Sequence, residues 1–144
     1  MRESRSAGNK ENRQLKNGFE IKMSAQLKLE RFEKRKLRVR KKISGTVERP
    51  RLNLRRSHLN LFVQAIDDVA ERTLFSASTL SSKVRAMKRK QWGNVEAASS
   101  FGAWVAEELR KKQITRIVFD RGGRTYHGRV QAFAEALRKG GIQF

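Results

Sequence analysis

Thr115–Phe144, TRIVFDRGGRTYHGRVQAFAEALRKGGIQF, packs a strand, a glycine-bearing polar loop and a helix into thirty residues. Arg116–Asp120 (RIVFD) is β-branched and aromatic, which predicts a short buried strand, and Arg121–Thr125 (RGGRT) ends it with turn residues. From Arg129 onward, Val130, Phe133, Ala134 and Leu137 fall at i, i+3, i+4 and i+7. That is the apolar stripe of an amphipathic helix, which Gly140 and Gly141 close. Between strand and helix lie Arg121, Arg124, Tyr126, His127 and Arg129, a cationic loop with one aromatic ring. It opens onto a helix N-terminus, whose unpaired N–H groups favour an anion, phosphate above all.

Working back from there, Val95 to about Lys112 is a helix that buries Ala98, Phe101, Val105 and Leu109 with Trp104 on its flank. Asn94 is placed to cap it, and Arg110, Lys111 and Lys112 suit its negative end. Ser81–Gly93 is a basic connection, carrying Lys88, Arg89 and Lys90, with room for a short helix. Before it, Arg51–Ser57 alternates Leu52 and Leu54 against Arg51, Asn53 and Arg55, a strand with one buried and one wet face. Asn60–Asp67 is a second strand, joined to the first by His58 and Leu59, and Arg72–Thr79 is a third after the acidic turn at Asp67 and Asp68. Short links imply an antiparallel meander, and the helix from Val95 then crosses over to the fourth strand, so both long helices share one face of a mixed sheet.

Lys28–Lys42 holds nine Lys or Arg against Glu30 and Glu33, a local charge of +7, and no Gly or Pro interrupts Gln26–Arg40. Leu29, Phe32, Leu37 and Val39 make no clean stripe, so this basic helix or arm cannot rely on a core. A solvated charged tail is the bland reading. The self-repulsion of so dense a like charge favours a polyanion that neutralises it. Residues 1–22 are polar and of mixed charge, which predicts disorder in isolation, and Ile43–Pro50 (ISGTVERP) reads as the linker. The expected organisation is therefore an extension (1–22), a basic arm (23–49) and an α/β domain (50–144).

A hydrophobic content of 38% gives room for one modest core. The net charge of +20 exceeds what solubility needs and points to a polyanionic partner, nucleic acid before any membrane, since no run of 18 apolar residues exists. The chain has no cysteine, hence no disulfide framework or thiolate metal site, which fits a reducing cytosol; its first residues lack the apolar core of a secretory signal.

The ordered set PRLNLRRS, LFVQAIDD, FSAST, the GN before the central helix and FDRGGRTYHGRVQAFAEALRKGGIQF closely resembles the bacterial-type ribosomal large-subunit protein eighteen family, from about Leu37 to Phe144. The resemblance implies a ribonuclease-H-like α/β motif, with a four-stranded mixed sheet in the order 3-2-1-4, helices on one face and a basic N-terminal arm. It further implies a non-enzymatic constituent of cytoplasmic ribosomes that binds 5S rRNA and helps attach it to 23S rRNA in the central protuberance, beside neighbouring ribosomal proteins. On this reading the RNA-binding residues are Lys28, Arg31, Lys34, Arg35, Lys36, Arg38, Arg40, Lys41 and Lys42 of the arm. The first two strands add Arg51, Asn53, Arg55, Arg56, Phe62 and Gln64, the basic connection Lys88, Arg89 and Lys90, and the loop Arg121, Arg124, Tyr126, His127 and Arg129. Asn60 and Phe62 stand where the family commonly carries His and Tyr, so stacking at Phe62 survives while a hydroxyl contact does not.

Catalysis finds little support. His58 reads as a turn residue with no metal-ligand spacing around it, and His127 has only Asp120 nearby to orient it. A two-metal nuclease needs converging carboxylates, and Arg51–Ser57 carries none. Asp120 suits pairing with a loop arginine or capping a turn. Gly122, Gly123 and Gly128 lack the Lys-Ser/Thr ending of a nucleotide loop. No catalytic residue, metal, cofactor or small-molecule substrate is expected. Two alternatives stay open: Tyr126 and His127 packing the loop onto the domain, and a general basic nucleic-acid-binding module, although helix-turn-helix and zinc-ligand signatures are missing.

Overall fold

The computed structural model describes residues 4–87 and 91–144. Its elements are α1 (Ser4–Arg40), β1 (Arg51–Arg56), β2 (Leu61–Asp67), β3 (Arg72–Ser78), α2 (Ser82–Arg85), α3 (Val95–Lys111), β4 (Val118–Asp120) and α4 (Arg129–Lys139). The chain parts into two units, residues 1–37 and 38–144. Among the described residues no helix is long and apolar enough to cross a membrane.

In the first unit α1 continues back to Ser4, through the segment whose composition predicts disorder in isolation. No proline falls between Ser4 and Arg40, so the backbone can carry the helix throughout. Its described side chains from Glu20 to Leu37 are exposed or half-exposed, and local contacts support it: Glu33 with Lys36 at 3.5 Å, and Arg35 over the Phe32 ring at 5.9 Å.

In the second unit the strands form one mixed sheet in the order β3-β2-β1-β4, with the first three antiparallel and β4 parallel to β1. Strand alternation sends Leu52, Leu54, Leu61, Val63, Ala65, Phe75 and Ala77 into a core with Ala98, Phe101, Val105 and Leu109 of α3 and Val130, Phe133 and Leu137 of α4. The long helices thus cover one face, while Arg55 and Phe62 are exposed on the other. Asn94 accepts the Ala97 N–H at 2.8 Å, the cap its residue type predicts for α3. The two helices approach closely at Gly102, where a Cβ would lie 2.7 Å from the Phe133 carbonyl oxygen and 2.8 Å from the Ala136 Cβ.

Three strand boundaries differ from the predicted ones by a residue, because Ser57–Asn60 forms the β1–β2 turn, closed by the Ser57 N–H to the Asn60 carbonyl at 2.9 Å, and Thr79 lies just past β3. The fourth strand differs more. Arg116 and Ile117 lie outside it, because they pair with the chain end: Arg116 bridges Gln143, and the Ile117 N–H reaches the Gln143 carbonyl at 3.0 Å. Ile117 is fully buried all the same.

Candidate nucleic-acid interface

β1 and β2 present alternate residues on the open face, in a register that sets Asn53 opposite Gln64 and Arg55 opposite Phe62. Arg55 is exposed, Asn53 and Gln64 are half-buried, and the Phe62 ring is 36% exposed. An unpaired base can stack on such a ring while the flanking amides and guanidinium take up base edges and phosphate. Asn60 has another occupation: its Oδ1 accepts the buried Thr79 hydroxyl at 3.0 Å, which ties the β1–β2 turn to the end of β3.

Arg51 is corrected. Strand alternation assigns it to the wet face, yet it is buried and already paired, with Nη2 on Asp68 Oδ1 at 2.7 Å, Nε on Asp68 Oδ2 at 2.8 Å and Nη1 on Asp120 Oδ2 at 3.0 Å. A fork-shaped guanidinium consumed by two carboxylates has little left for RNA. Arg40, the last residue of α1, reaches the same Asp120 oxygen with Nε at 3.3 Å. Asp120 also accepts the Gly122 N–H at 2.8 Å, so it does cap the turn, while its arginine partners come from α1 and β1 rather than the loop. The Gly45 N–H donates to Asp68 Oδ2 at 2.7 Å and the Gly45 carbonyl accepts the Asp68 N–H at 3.0 Å, so this ionic cluster holds the segment between α1 and β1 against the sheet. The Arg51 hydrogen bonds first, then the Gly45 N–H and the Arg51 and Arg40 charges, hold the Asp68 carboxyl below the usual aspartate range against the opposing effect of burial.

The loop after β4 is anchored at both ends. Gly122 takes a positive φ of 62° there, with a hypothetical Cβ 3.2 Å from the Leu54 carbonyl oxygen, so glycine permits both the turn and the approach to β1. Arg138 of α4 donates to the Tyr126 hydroxyl at 2.9 Å and lies over the Phe144 ring at 4.4 Å, which leaves Tyr126 37% exposed. Arg121, Arg124 and His127 are exposed. Arg129 folds onto the β1–β2 turn, donating to the Ser57 and His58 carbonyls at 3.0 Å each. Burial first, then the charges of Arg56 and Arg124, push its pKa down. The loop, the start of α4 and the end of β1 therefore meet in a concentration of positive charge.

The arm cations Lys28, Arg31, Lys34, Arg35, Lys36, Arg38, Lys41 and Lys42 are exposed or half-exposed, whereas Lys88, Arg89 and Lys90 lie outside the described residues. The family model described as "Ribosomal L18 of archaea, bacteria, mitoch. and chloroplast" matches residues 26–144. The chain belongs to the ribosomal L18 family.

Its similarity to individual members is high. The chain is 53% identical over 114 residues to the large ribosomal subunit protein uL18 of Synechococcus sp., covering 78% of this chain and 93% of that protein. It is 55% identical over 112 residues to that of Ligilactobacillus salivarius (78% and 91%), and 51% over 111 residues to that of Symbiobacterium thermophilum (77% and 90%). As an L18 protein of bacterial type it is a structural, RNA-binding constituent of the large ribosomal subunit, with rRNA and ribosomal proteins as partners. In that setting Asp68, Asp120 and Arg138 matter although none figured among the expected RNA contacts: two neutralise Arg51 and one braces Tyr126. The adjacent aspartates at 67 and 68 were a visible signal, but only tertiary contact brings them to Arg51.

Proposed function

We propose that this L18 protein binds 5S rRNA and helps attach it to 23S rRNA in the central protuberance of the large subunit. The observation that carries this reading is the meeting of Arg56, Arg124 and Arg129 at the end of β1, the same strand whose open face sets Arg55 opposite Phe62. Arg129 is fixed by two neutral carbonyls, so its charge is retained at a place where neighbouring cations oppose it, and a phosphate there relieves the repulsion. The family resemblance names the RNA. Phosphate contacts from the arm, residues 23–49, supply affinity and counterion release; the loop and the open face supply contacts to backbone, 2′-hydroxyls and unpaired bases. Residues 1–22 act as an extension of that arm, and 50–144 as the RNA-binding domain.

The test is a gel-shift competition of 5S rRNA against duplex DNA of equal length over a series of salt concentrations. Preference for 5S rRNA that persists at high salt supports the reading. Equal competition throughout makes the chain a general basic nucleic-acid binder.

A further inference from the structure

Arg138, in the last turn of α4, lies outside every contact assigned above to RNA, yet its guanidinium is held in place and left charged. We propose that Arg138 binds a phosphate of the RNA backbone, which extends the cationic loop after β4 around to Phe144. The inference deepens the RNA-binding reading and rests on it; it needs the chain to bind RNA but not any one rRNA.

Two neutral groups position the guanidinium. Its Cζ lies 4.4 Å from the centroid of the Phe144 ring, and its Nη1 donates to the Tyr126 hydroxyl at 2.9 Å. The ring is itself fixed. Ile142 is buried, the Gln143 N–H reaches the Thr115 carbonyl at 2.9 Å, the Ile117 N–H reaches the Gln143 carbonyl at 3.0 Å, and Phe119 meets Phe144 at 5.3 Å. Phe119 in turn packs on the buried Phe133 at 6.3 Å, so the platform is continuous with the core. A cation on an aromatic face keeps its charge, and a guanidinium held by rigid neighbours gives up little rotamer freedom when a ligand arrives.

The charge is left unneutralised although a carboxylate is near in sequence. Glu135 stands three residues before Arg138 on α4, a spacing at which carboxylate and guanidinium pair along a helix. Instead Glu135 accepts from Gln131 at 2.9 Å, and among the described residues no carboxylate forms an ion pair with Arg138. Arg51 is the contrast: buried and consumed by Asp68 and Asp120. Arg138 is exposed, and beyond the bond to Tyr126 its N–H groups have no protein acceptor among the described residues. It therefore presents donors and positive charge outward, which the non-bridging oxygens of a phosphodiester match in the two-pronged geometry a guanidinium favours. Tyr126 belongs to the loop that also exposes Arg121, Arg124 and His127, so Arg138 adjoins the surface already assigned to RNA. A partner protein's carboxylate would satisfy the same donors. Contiguity with the RNA surface favours the phosphate, and the salt response of RNA binding separates the two.

The experiment measures binding of the full chain to 5S rRNA, and to a scrambled RNA of the same length, over a series of salt concentrations. Arg138→Gln should reduce the magnitude of the log–log salt slope by about 0.7–0.9, as loss of one phosphate contact does, and weaken binding roughly tenfold at low salt. Arg138→Lys, which keeps the charge, should keep the parent slope. Lys139→Gln removes the neighbouring charge, which borders the groove between α3 and α4 with Val95 and Glu135, and should leave the slope unaltered. Arg138→Met, whose apolar stem still covers Phe144, repeats the measurement should the glutamine variant lose its cooperative melt. A parent slope in a folded charge-free variant overturns the proposal and leaves Arg138 as a brace for Tyr126 and Phe144. An equal fall with Lys139→Gln also overturns it, because the effect is then one of net charge. A slope reduced on both RNAs, without preference for 5S rRNA, upholds the phosphate contact and sinks the 5S reading alone.

Discussion

Arg51 donates from Nη1 to Asp120 Oδ2 at 3.0 Å, joining the first strand of the sheet to the last with side chains only 10% and 1% exposed. Removing the carboxylate leaves a buried guanidinium short of one partner and releases Arg40 as well. Asp120→Ala should therefore destabilise the domain by roughly 3 kcal/mol, the lower end of the range for breaking a buried pair, since Asp68 still holds Arg51. Urea denaturation measures this. A loss below about 1 kcal/mol would mean that the pair is as weak as an exposed one.

The same cluster predicts an acid limb. The Asp68 carboxyl is held below its ordinary value of 3.8, chiefly by the Arg51 hydrogen bonds. A carboxylate depressed in the folded state adds stability that is fully present above the unfolded value and is lost as pH falls through the folded one. Stability should thus hold down to about pH 4 and decline below it, and Asp68→Asn should lower the plateau while flattening the decline. Denaturation midpoints of both proteins from neutral pH to pH 2 decide the matter: parallel curves would remove Asp68 from the acid response.

Local periodicity accounts for much of what could be read beforehand. Phe101, Val105 and Leu109 of α3, and Val130, Phe133 and Leu137 of α4, are all buried where a 3.6-residue stripe puts them. The open-face set of Asn53, Arg55, Phe62 and Gln64 follows equally from a period of two. Arg51 obeys the same parity and still ends up inside, because Asp68 and Asp120, 17 and 69 residues away, converge on it. The shortness of β4 has a similar cause, since the Thr115 carbonyl and the Ile117 N–H are claimed by Gln143, which arrives only after α4 has folded back. Arg129 was legible as a cation beside the loop, but its grip on the Ser57 and His58 carbonyls was not, because main-chain acceptors leave no mark in a sequence.

The α3–α4 contact depends on the absence of a side chain at Gly102. A methyl group there meets the Phe133 carbonyl oxygen at 2.7 Å and the Ala136 Cβ at 2.8 Å, so the helices must separate. Gly102→Ala gains helix propensity, worth about 1 kcal/mol, but overpacking a buried contact costs about 1–3 kcal/mol. A net lowering of the melting temperature is expected; a rise would show that the interface yields without strain.

Two truncations separate the arm from the domain. Removing residues 1–37 leaves Arg40 and Gly45 on the ionic cluster and should keep cooperative unfolding intact while reducing RNA affinity. Removing residues 1–42 also takes Arg40 from Asp120 and should lower stability further. In both, each lost phosphate contact should reduce the magnitude of the log–log salt slope by about 0.7–0.9. Equal stability of the two truncated chains would show that the Arg40 contact contributes nothing.

Arg56, Arg129 and Tyr126 should differ in kind. Arg56→Ala removes a charge whose field bears on Arg129 and should weaken 5S rRNA binding in a way that high salt masks. Arg129→Ala removes a charge and also frees the Ser57 and His58 carbonyls, which water can reach, so it should add a stability loss of about 1 kcal/mol. Tyr126→Phe keeps the ring and loses only the acceptor of Arg138, whereas Tyr126→Ala removes a stacking surface worth roughly 1–3 kcal/mol that salt does not screen. Binding to 5S rRNA and to a scrambled RNA of the same length, measured across salt concentrations with melting as a control, separates these effects. The two arginine variants should show shallower salt slopes, and Tyr126→Ala an unchanged slope with poorer discrimination. Full discrimination in a folded Tyr126→Ala protein would return Tyr126 to the role of packing Arg138 and the chain end, leaving shape recognition to Phe62 and the open face.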